Sequence, residues 1–353
     1  MFKQKTRTIA ALAAAGALIV GLSACSADAP AAGGDAATGG EAKDLKVGWS
    51  TIYLSPSWMQ QTEKLLVEEV DRLKEQGIVK SYETLNANGD TSQQIAQIRT
   101  MIQQKYDVIL IDAGSSTALN PVIEEAVEDG ITVVNFDSLV TSEDAIKVGT
   151  DQAKWGSMLA EWLVEELDGK GDIIAFNGPA GVAVSEDRWA GAKKVFDKHP
   201  DINIVTTLNS EYNIAPAAQA FAAAYAANPD IDGVFAQGGA LGDAALQTVI
   251  ERKGKLIPIT GENYNGFLRE WNEQLANGFS SMSTAQPNYM SAVALRAAVA
   301  KIQGEDIPNW IEIDLPQITN DNLGDFFDEA GPDDSYPINE FTDADIKAVL
   351  GIK

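Results

Sequence analysis

Polar and aromatic side chains follow the strand-like apolar segments of this chain, at the points where parallel strands would end. The first segment leads into Tyr53, Ser55 and Trp58, and the fourth into Asp137 and Ser138. Later segments lead into further candidates: Glu186, Arg188, Tyr212, Gly238, Asn263 and Gln286. Carboxylate, amide and guanidinium groups bind vicinal hydroxyls, and aromatic rings stack on C–H faces. The set predicts a binding site for a carbohydrate or similar polyol.

Four of these residues also have a structural interpretation. Trp58 shares a helix with Leu66 and could belong to the core. Glu186 stands near a helix start, where it could complement the helix dipole. Arg188 could tie one part of the fold together, and Tyr212 could be an ordinary buried tyrosine. The sequence alone leaves these alternatives open.

The side chains of common catalytic sites do not assemble from this sequence. Its one histidine, His199, precedes Pro200, and its one cysteine is Cys25. No metal-ligand spacing, nucleophile elbow or Cys/His pair is found. The glycine-containing segments 177–181 and 238–239 match no phosphate-loop fingerprint and are interpreted as tight turns. We therefore expect a binding protein and not an enzyme, with no metal and no cofactor.

Apolar runs of strand length alternate with longer amphipathic segments from Leu45 onward. The predicted strands are 45–50, 81–86, 106–112, 131–137, 146–149, 172–176, 202–208, 233–237, 256–261 and 279–285. The predicted helices are 58–76, 91–104, 117–129, 152–167, 186–198, 215–227, 243–253, 264–276 and 288–302. This alternation predicts an α/β fold with parallel sheets, best arranged as two sheets of four or five strands. Ligands of such sheets bind beyond the carboxyl ends of the strands.

Local signals refine this outline. Thr91 and Gln94 predict a capping box, and Gly130 predicts the end of the following helix. Near the C-terminus, residues 311–318 read as one added strand and residues 325–336 as an acidic loop that contains proline.

The first 25 residues have the composition of an export signal. Three basic residues precede an apolar run over 9–22, which is shorter than the roughly 20 residues of a membrane span. The run ends in Leu22-Ser23-Ala24-Cys25, which resembles the lipobox of bacterial lipoproteins. The resemblance implies cleavage after a signal peptide of residues 1–24 and a lipid on Cys25. The protein would then be anchored to the outer face of the cell membrane, on the periplasmic or cell-wall side. A lone buried cysteine of a secreted chain is the alternative.

Residues 26–41 contain no aromatic and no large aliphatic side chain, which predicts a flexible tether over 25–43. The formal net charge is −25, and removing residues 1–24 takes away three positive charges and no acidic one, giving −28. Such a surface repels nucleic acid, so we expect no nucleic-acid partner. A single cysteine excludes an internal disulfide.

Five short stretches are similar to one known family. They are Ser55-Pro56-Ser57-Trp58, Asn135-Phe136-Asp137, Gly191 after Arg188, residues 228–237, and Thr284-Ala285-Gln286. In their order and spacing, the chain from about Leu45 to Ile302 resembles the ribose-type (type I) periplasmic sugar-binding proteins that serve ATP-driven importers.

The resemblance implies two Rossmann-like lobes that are joined by three chain crossings and close on the ligand. The crossings would fall near 149–151, 285–288 and 306–310. The N-terminal lobe would hold 44–150 and 287–308, and the C-terminal lobe 151–286 and 309–353, including a C-terminal extension. Carried over, Trp58 is a stacking aromatic, Asp137 a carboxylate for ring hydroxyls, Tyr212 a second aromatic, and Gln286 an amide at a crossing.

Three positions depart from the ribose binders. Glu186 stands where they have an arginine, Asn263 where they have an aspartate, and Gly238-Gly239 where they have Asn-Asp. The changes imply a ligand other than ribose in the same pose, and the two glycines predict room for a larger substituent.

We therefore expect a monomeric substrate-binding lipoprotein that delivers a monosaccharide or sugar alcohol to the membrane permease and ATPase subunit of an ABC importer. A ligand-sensing module that feeds a chemoreceptor or an envelope sensor kinase is the main alternative. A sugar-responsive transcription regulator conflicts with the export signal, the acidic charge and the missing N-terminal helix-turn-helix. An envelope glycosidase would need two carboxylates at catalytic separation, which sequence does not reveal.

Overall fold

The computed structural model describes residues 42–337 and 342–352. The predicted signal peptide, Cys25 and all but the last two residues of the predicted tether lie outside the described residues. Within the described ranges, no helix combines the length and the apolar character required to cross a membrane.

Strands and helices alternate along the chain, as predicted. The strands are β1 (Leu45–Thr51), β2 (Val79–Asn86), β3 (Val108–Asp112), β4 (Thr132–Phe136), β5 (Ile146–Gly149), β6 (Gly171–Asn177), β7 (Ile202–Asn209), β8 (Gly233–Ala236), β9 (Gly261–Glu262), β10 (Met282–Thr284), β11 (Trp310–Glu312) and β12 (Ile318–Thr319). The helices are α1 (Ser57–Glu75), α2 (Thr91–Gln103), α3 (Asn120–Glu128), α4 (Gln152–Glu166), α5 (Ala183–Phe196), α6 (Ile214–Ala227), α7 (Gly239–Glu251), α8 (Asn265–Gln274), α9 (Met290–Ile302) and α10 (Asp343–Leu350).

The strands form two layers with the same internal order. The first sheet is all parallel and runs β2-β1-β3-β4-β5-β11. The second layer consists of two ladders, β7-β6-β8 and β9-β10-β12, which a single parallel bridge from Val234 to Ile259 connects. We call this layer the second sheet. Central strands such as β3 are buried along their whole length, as expected where helices cover both faces.

Two of the three predicted crossings lie where the sequence placed them. β5 belongs to the first sheet, whereas α4, which begins at Gln152, packs on β8 and β10 of the second. The chain returns after β10, because α9 packs on β4 and β5. Gly130 follows α3 with a φ of 82°, which confirms the predicted helix end.

The third crossing differs from the prediction. β11 still pairs with β5, and β12 pairs with β10 of the second sheet, so the chain crosses at residues 313–317 and not at 306–310. The predicted single strand over 311–318 is wrong for the same reason. Pro316 lies in this crossing, and because proline has no N–H it cannot continue a ladder.

The C-terminal residues do not all lie on the second sheet, as the prediction for 309–353 required. α10 contacts α9 and β11 of the first sheet. Its first residue, Asp343, forms ion pairs with Arg72 at 3.2 Å and with Arg296 at 3.3 Å. The chain after β11 thus contacts both sheets, since β12 pairs with the second sheet and α10 packs against the first.

The predicted capping box at Thr91 is also wrong. Asp90 is the N-cap of α2, and its carboxylate accepts hydrogen bonds from the backbone N–H groups of Ser92 and Gln93. Gln94 is fully buried and donates instead to the backbone carbonyls of Ser50 and Asp112. Its amide therefore joins the ends of β1 and β3, a use that the capping pattern does not anticipate.

Candidate functional site

A cavity lies at the carboxyl ends of the strands of both sheets. Its lining includes seven of the side chains that the sequence proposed: Tyr53, Trp58, Asp137, Ser138, Arg188, Tyr212 and Gln286. The other lining residues are Ile52, Pro56, Met59, Asp112, Val182, Val184, Glu262 and Tyr336. Aromatic rings, carboxyl groups and one guanidinium group thus face a common space.

Four proposed residues lie outside this lining. Ser55 is exposed, and its backbone carbonyl accepts a hydrogen bond from Gln60. Glu186 is exposed in the first turn of α5 and accepts from the backbone N–H of Gly181 at 2.8 Å. Asn263 is buried but donates to the backbone carbonyl of Pro337 at 2.9 Å. For Glu186, exposure and a place in the first turn of α5 favour the helix-dipole interpretation.

Gly238, the fourth, forms a slot for Tyr212. A Cβ atom at Gly238 would lie 2.8 Å from the Tyr212 ring, and one at Gly178 would lie 2.1 Å from its hydroxyl oxygen. Only glycine at both positions lets this ring reach the cavity, where its hydroxyl donates to Gln237. The predicted free space at Gly238-Gly239 is wrong, because Tyr212 and Tyr264 fill it.

Gln286 joins the two crossings to the cavity. Its side-chain oxygen accepts from the Thr150 hydroxyl at 2.9 Å and from the amide of Gln152, both at the first crossing. Its side-chain nitrogen donates to Asp137. This amide on the second crossing therefore positions a carboxylate of the site.

Arg188 is buried and held by neutral partners. Its Nε donates to Gln152 at 2.7 Å, and its Nη1 donates to the backbone carbonyl of Gln237 at 2.8 Å. Its guanidinium plane lies over the Trp155 ring, 3.7 Å from the centroid. Arg188 therefore ties this part of the fold together, and its side chain also lines the cavity.

Three carboxyl groups face the cavity. Burial raises the pKa of Asp137 to about 6, against the opposing effects of Arg188 and of the Gln286 hydrogen bond. Burial raises the pKa of Glu262 to about 7, although Arg188 and a bond from the Gly239 N–H at 3.1 Å oppose the shift. The pKa of Asp112 lies well above its usual value because of burial and the neighbouring Asp137.

Two buried oxygens of the lining have no hydrogen-bond partner among the described residues. They are Oδ1 of Asp112 and Oγ of Ser138. The other carboxylate oxygen of Asp112 accepts from the Thr51 hydroxyl at 3.0 Å. A buried polar atom left unpaired costs about 1–3 kcal/mol, and hydroxyl groups of a ligand would remove that cost.

Asp112, Glu262 and Tyr336 were not among the proposed site residues. Asp112 ends the third predicted strand, and Glu262 lies between Gly261 and Asn263 at another strand end, so a complete survey of strand ends would have found both. No local signal marks Tyr336, which stands in the predicted acidic loop.

Comparison with known proteins agrees with the fold. Residues 47–306 match the family described as periplasmic binding protein domain. The xylitol-binding protein of Mycolicibacterium smegmatis is 28% identical over 320 residues, which cover 90% of this chain and 87% of that protein. The ribose import binding protein RbsB of Bacillus subtilis is 25% identical over 300 residues, 83% of this chain and 93% of that protein.

Solved structures show the same architecture. An ABC transporter solute binding protein from Thermobispora bispora superposes with a TM-score of 0.78 at 24% identity, covering 87% of this chain and 95% of that one. A solute binding protein from Bacillus halodurans with bound myo-inositol gives a TM-score of 0.72 at 19% identity, covering 81% and 98%. The fold is thus that of the type I periplasmic binding proteins, and the chain belongs to the ribose-type periplasmic binding protein family.

Proposed function

We propose that this protein binds a monosaccharide or a sugar alcohol in the cavity between the two sheets and delivers it to the permease of an ABC importer. The observation that carries this proposal is the pair of unpaired buried oxygens, Asp112 Oδ1 and Ser138 Oγ, in a lining that also contains carboxyl groups and aromatic rings. A polyol donates hydroxyl hydrogens to such acceptors and offers C–H faces to the rings. The xylitol- and ribose-binding relatives support this ligand class.

Hinge closure is the mechanism that we propose. Short crossings connect the sheets, and the lining draws residues from both, so a ligand gains its full set of contacts only when the two bodies close on it. A bound ligand then shifts the population toward the closed form, which the permease would recognise. We expect ligand to reduce the radius of gyration in small-angle scattering, and an unchanged radius would contradict closure.

We also propose that the mature protein is a monomer, without enzymatic activity, attached to the outer face of the cell membrane by lipid on Cys25. The motif Leu22-Ser23-Ala24-Cys25 after an apolar run supports the anchor. Lipid attachment would hold the protein close to its permease.

A thermal-shift screen with xylitol, ribose, myo-inositol and related neutral polyols tests the ligand class. A ligand at 100 times its dissociation constant stabilises the folded state by about 2.7 kcal/mol. The proposal fails if no neutral polyol raises the melting temperature.

Two serines give a matched comparison for the site itself. Ser138 and Ser283 are both buried, and neither hydroxyl has a hydrogen-bond partner within residues 42–337 and 342–352, but of the two Ser138 alone lines the cavity. Ser138→Ala should weaken binding about two- to tenfold by calorimetry, as expected for one hydrogen bond, and Ser283→Ala should not. Equal effects of the two substitutions would remove Ser138 from the ligand site.

A further inference from the structure

We call each sheet together with the helices packed on it a body. The segment 328–337, which we call the strap, lies against α8, a helix of the second-sheet body. Asn265, at the start of α8, donates to the backbone carbonyls of Asp328 at 3.0 Å and Pro332 at 3.1 Å and accepts from the Asp328 N–H at 2.9 Å. Two backbone N–H groups of the first helical turn donate to the strap as well. The N–H of Asn265 donates to the Ser335 carbonyl at 2.8 Å, and the N–H of Gly266 donates to the Asp333 carbonyl at 2.9 Å. The strap thus satisfies the amides that a helix start leaves unpaired.

An ion pair and an amide extend this attachment. Arg269 pairs with Asp333 at 2.7 Å and donates to the backbone carbonyl of Gly331 at 2.6 Å. Asn263, which the sequence placed in the ligand site, donates to the carbonyl of Pro337. These bonds spread over most of the strap, so it moves with the second-sheet body.

Among the described residues, the strap also bonds helix α1, which packs on the first sheet, through the backbone of one residue, Tyr336. Gln61 of α1 donates from Nε2 to the Tyr336 carbonyl at 2.6 Å and accepts from the Tyr336 N–H at 2.9 Å. This amide therefore pairs with both backbone groups of one residue. Because the attachment to α8 is more extensive, separation of the two bodies would break the bonds to Gln61 first.

Tyr336 also places its side chain in the cavity lining. The side chain is 2% exposed, and its ring meets the Tyr264 ring edge to face, with centroids 5.4 Å apart. Tyr264 is buried as well but does not line the cavity. One residue of the strap thus combines a wall of the cavity with a bond across the two bodies.

We propose that the strap is part of the ligand site and acts as its latch: Tyr336 contacts the bound ligand and helps select it, and the paired bonds between Gln61 and Tyr336 hold the closed form. The proposal rests on the proposed function for the ligand, whereas the latch itself is defined by bonds within the protein. Closing and opening are then coupled to the residue that touches the ligand.

Hydrogen exchange of the ligand-free full chain tests the latch without any ligand. Gln61→Ala should speed the exchange of the Tyr336 amide about tenfold, as expected when hydrogen bonds of this strength are lost. Gln61→Glu keeps the acceptor for that amide and should have a smaller effect. Gln60→Ala is the matched control, since Gln60 is exposed on the same helix and its side-chain amide donates to the Ser55 carbonyl. Equal exchange in the Gln61→Ala and Gln60→Ala proteins would overturn the latch.

Selectivity tests the contact with ligand, using xylitol, ribose and myo-inositol as probes. Tyr336→Phe should change the ratio of their affinities at least threefold, whereas Tyr264→Phe should leave the ratios unchanged, because Tyr264 only packs behind the wall. Matching ratios in the two variants would reduce Tyr336 to a packing residue. If none of the three probes binds wild type, the contact proposal fails together with the proposed ligand class, and the exchange experiment still decides the latch.

Discussion

The indole nitrogen of Trp58 donates a hydrogen bond to the backbone carbonyl of Gln286 at 3.0 Å. Trp58 lies in the first turn of α1, and Gln286 lies on the second crossing, 228 residues later. The side chain of the same Gln286 binds Asp137. Gln286, which lies between the two sheets, therefore holds both the Trp58 ring and the Asp137 carboxylate of the cavity.

Trp58→Phe should weaken ligand binding and stability together. Phenylalanine keeps an aromatic ring but leaves the Gln286 carbonyl without its donor, which should lower the free energy of unfolding by about 1–3 kcal/mol. We expect about a tenfold loss of affinity by calorimetry. Trp162→Phe on α4, outside the lining, is the control and should leave affinity unchanged. Wild-type affinity in Trp58→Phe would show that the bond from Trp58 to the Gln286 carbonyl does not contribute to ligand binding.

Glu262→Gln should stabilise the ligand-free protein at high pH only. Burial raises the pKa of Glu262 to about 7, from an ordinary value of 4.5. The folded state binds this proton more tightly than the unfolded state does. Its contribution to stability is therefore complete below about pH 4.5 and is lost as the pH rises through about 7.

The variant removes this loss, since glutamine still accepts from the Gly239 N–H. Its melting temperature should exceed that of wild type at about pH 8, and the difference should shrink toward pH 4.5. Glu273→Gln, at an exposed position on α8, is the matched control. A difference between Glu262→Gln and wild type that is equal at both pH values would argue against a buried, proton-binding carboxyl.

Glu186→Ala should leave ligand affinity within about twofold of wild type. Glu186 is exposed in the first turn of α5, and its carboxylate accepts a hydrogen bond from the backbone N–H of Gly181. Loss of this charge at the helix start should lower the free energy of unfolding by about 0.3–1 kcal/mol. Calorimetry and thermal melting measure the two effects. A large loss of affinity would return Glu186 to the ligand site.

Cys25→Ser should release the protein from the membrane and leave its fold intact. Only a thiol can carry a thioether-linked lipid, so the serine chain should appear in the soluble fraction with an unchanged melting temperature. Fractionation of cells that express each form measures this. Retention of the serine variant with the membranes would contradict lipid attachment at Cys25.

The strand-end rule located seven of the fifteen residues that line the cavity, and its errors have specific causes. Successive side chains of a strand point in opposite directions, so a shift of one residue changes which side chain faces the ligand. Glu262 lines the cavity and Asn263 bonds the strap, although the similarity to ribose binders had favoured Asn263. Family similarity located the end of the strand. The structure was needed to show which of the two adjacent side chains, Glu262 or Asn263, faces the cavity.

The C-terminal part was the least predictable. Tyr336 lies beyond the repeating strand and helix pattern, and its own backbone groups bond Gln61, 275 residues earlier in the chain. β11 and β12 are too short to show a recognisable pattern of apolar residues. Their positions depend on pairing with β5 and β10, which come earlier in the chain. By contrast, Asp137 directly follows the five-residue strand β4, and Arg188 lies within the 14-residue helix α5.

The order of the first sheet also has a consequence for folding during synthesis. α9 and β11, which pack on and complete this sheet, follow the first five strands of the second sheet in the chain. Until they are made, β5 is an open edge whose backbone groups can pair with another chain. Contacts between such distant parts slow folding. A truncation before Met290 should therefore yield an aggregation-prone fragment, even though it keeps five of the six strands of the first sheet.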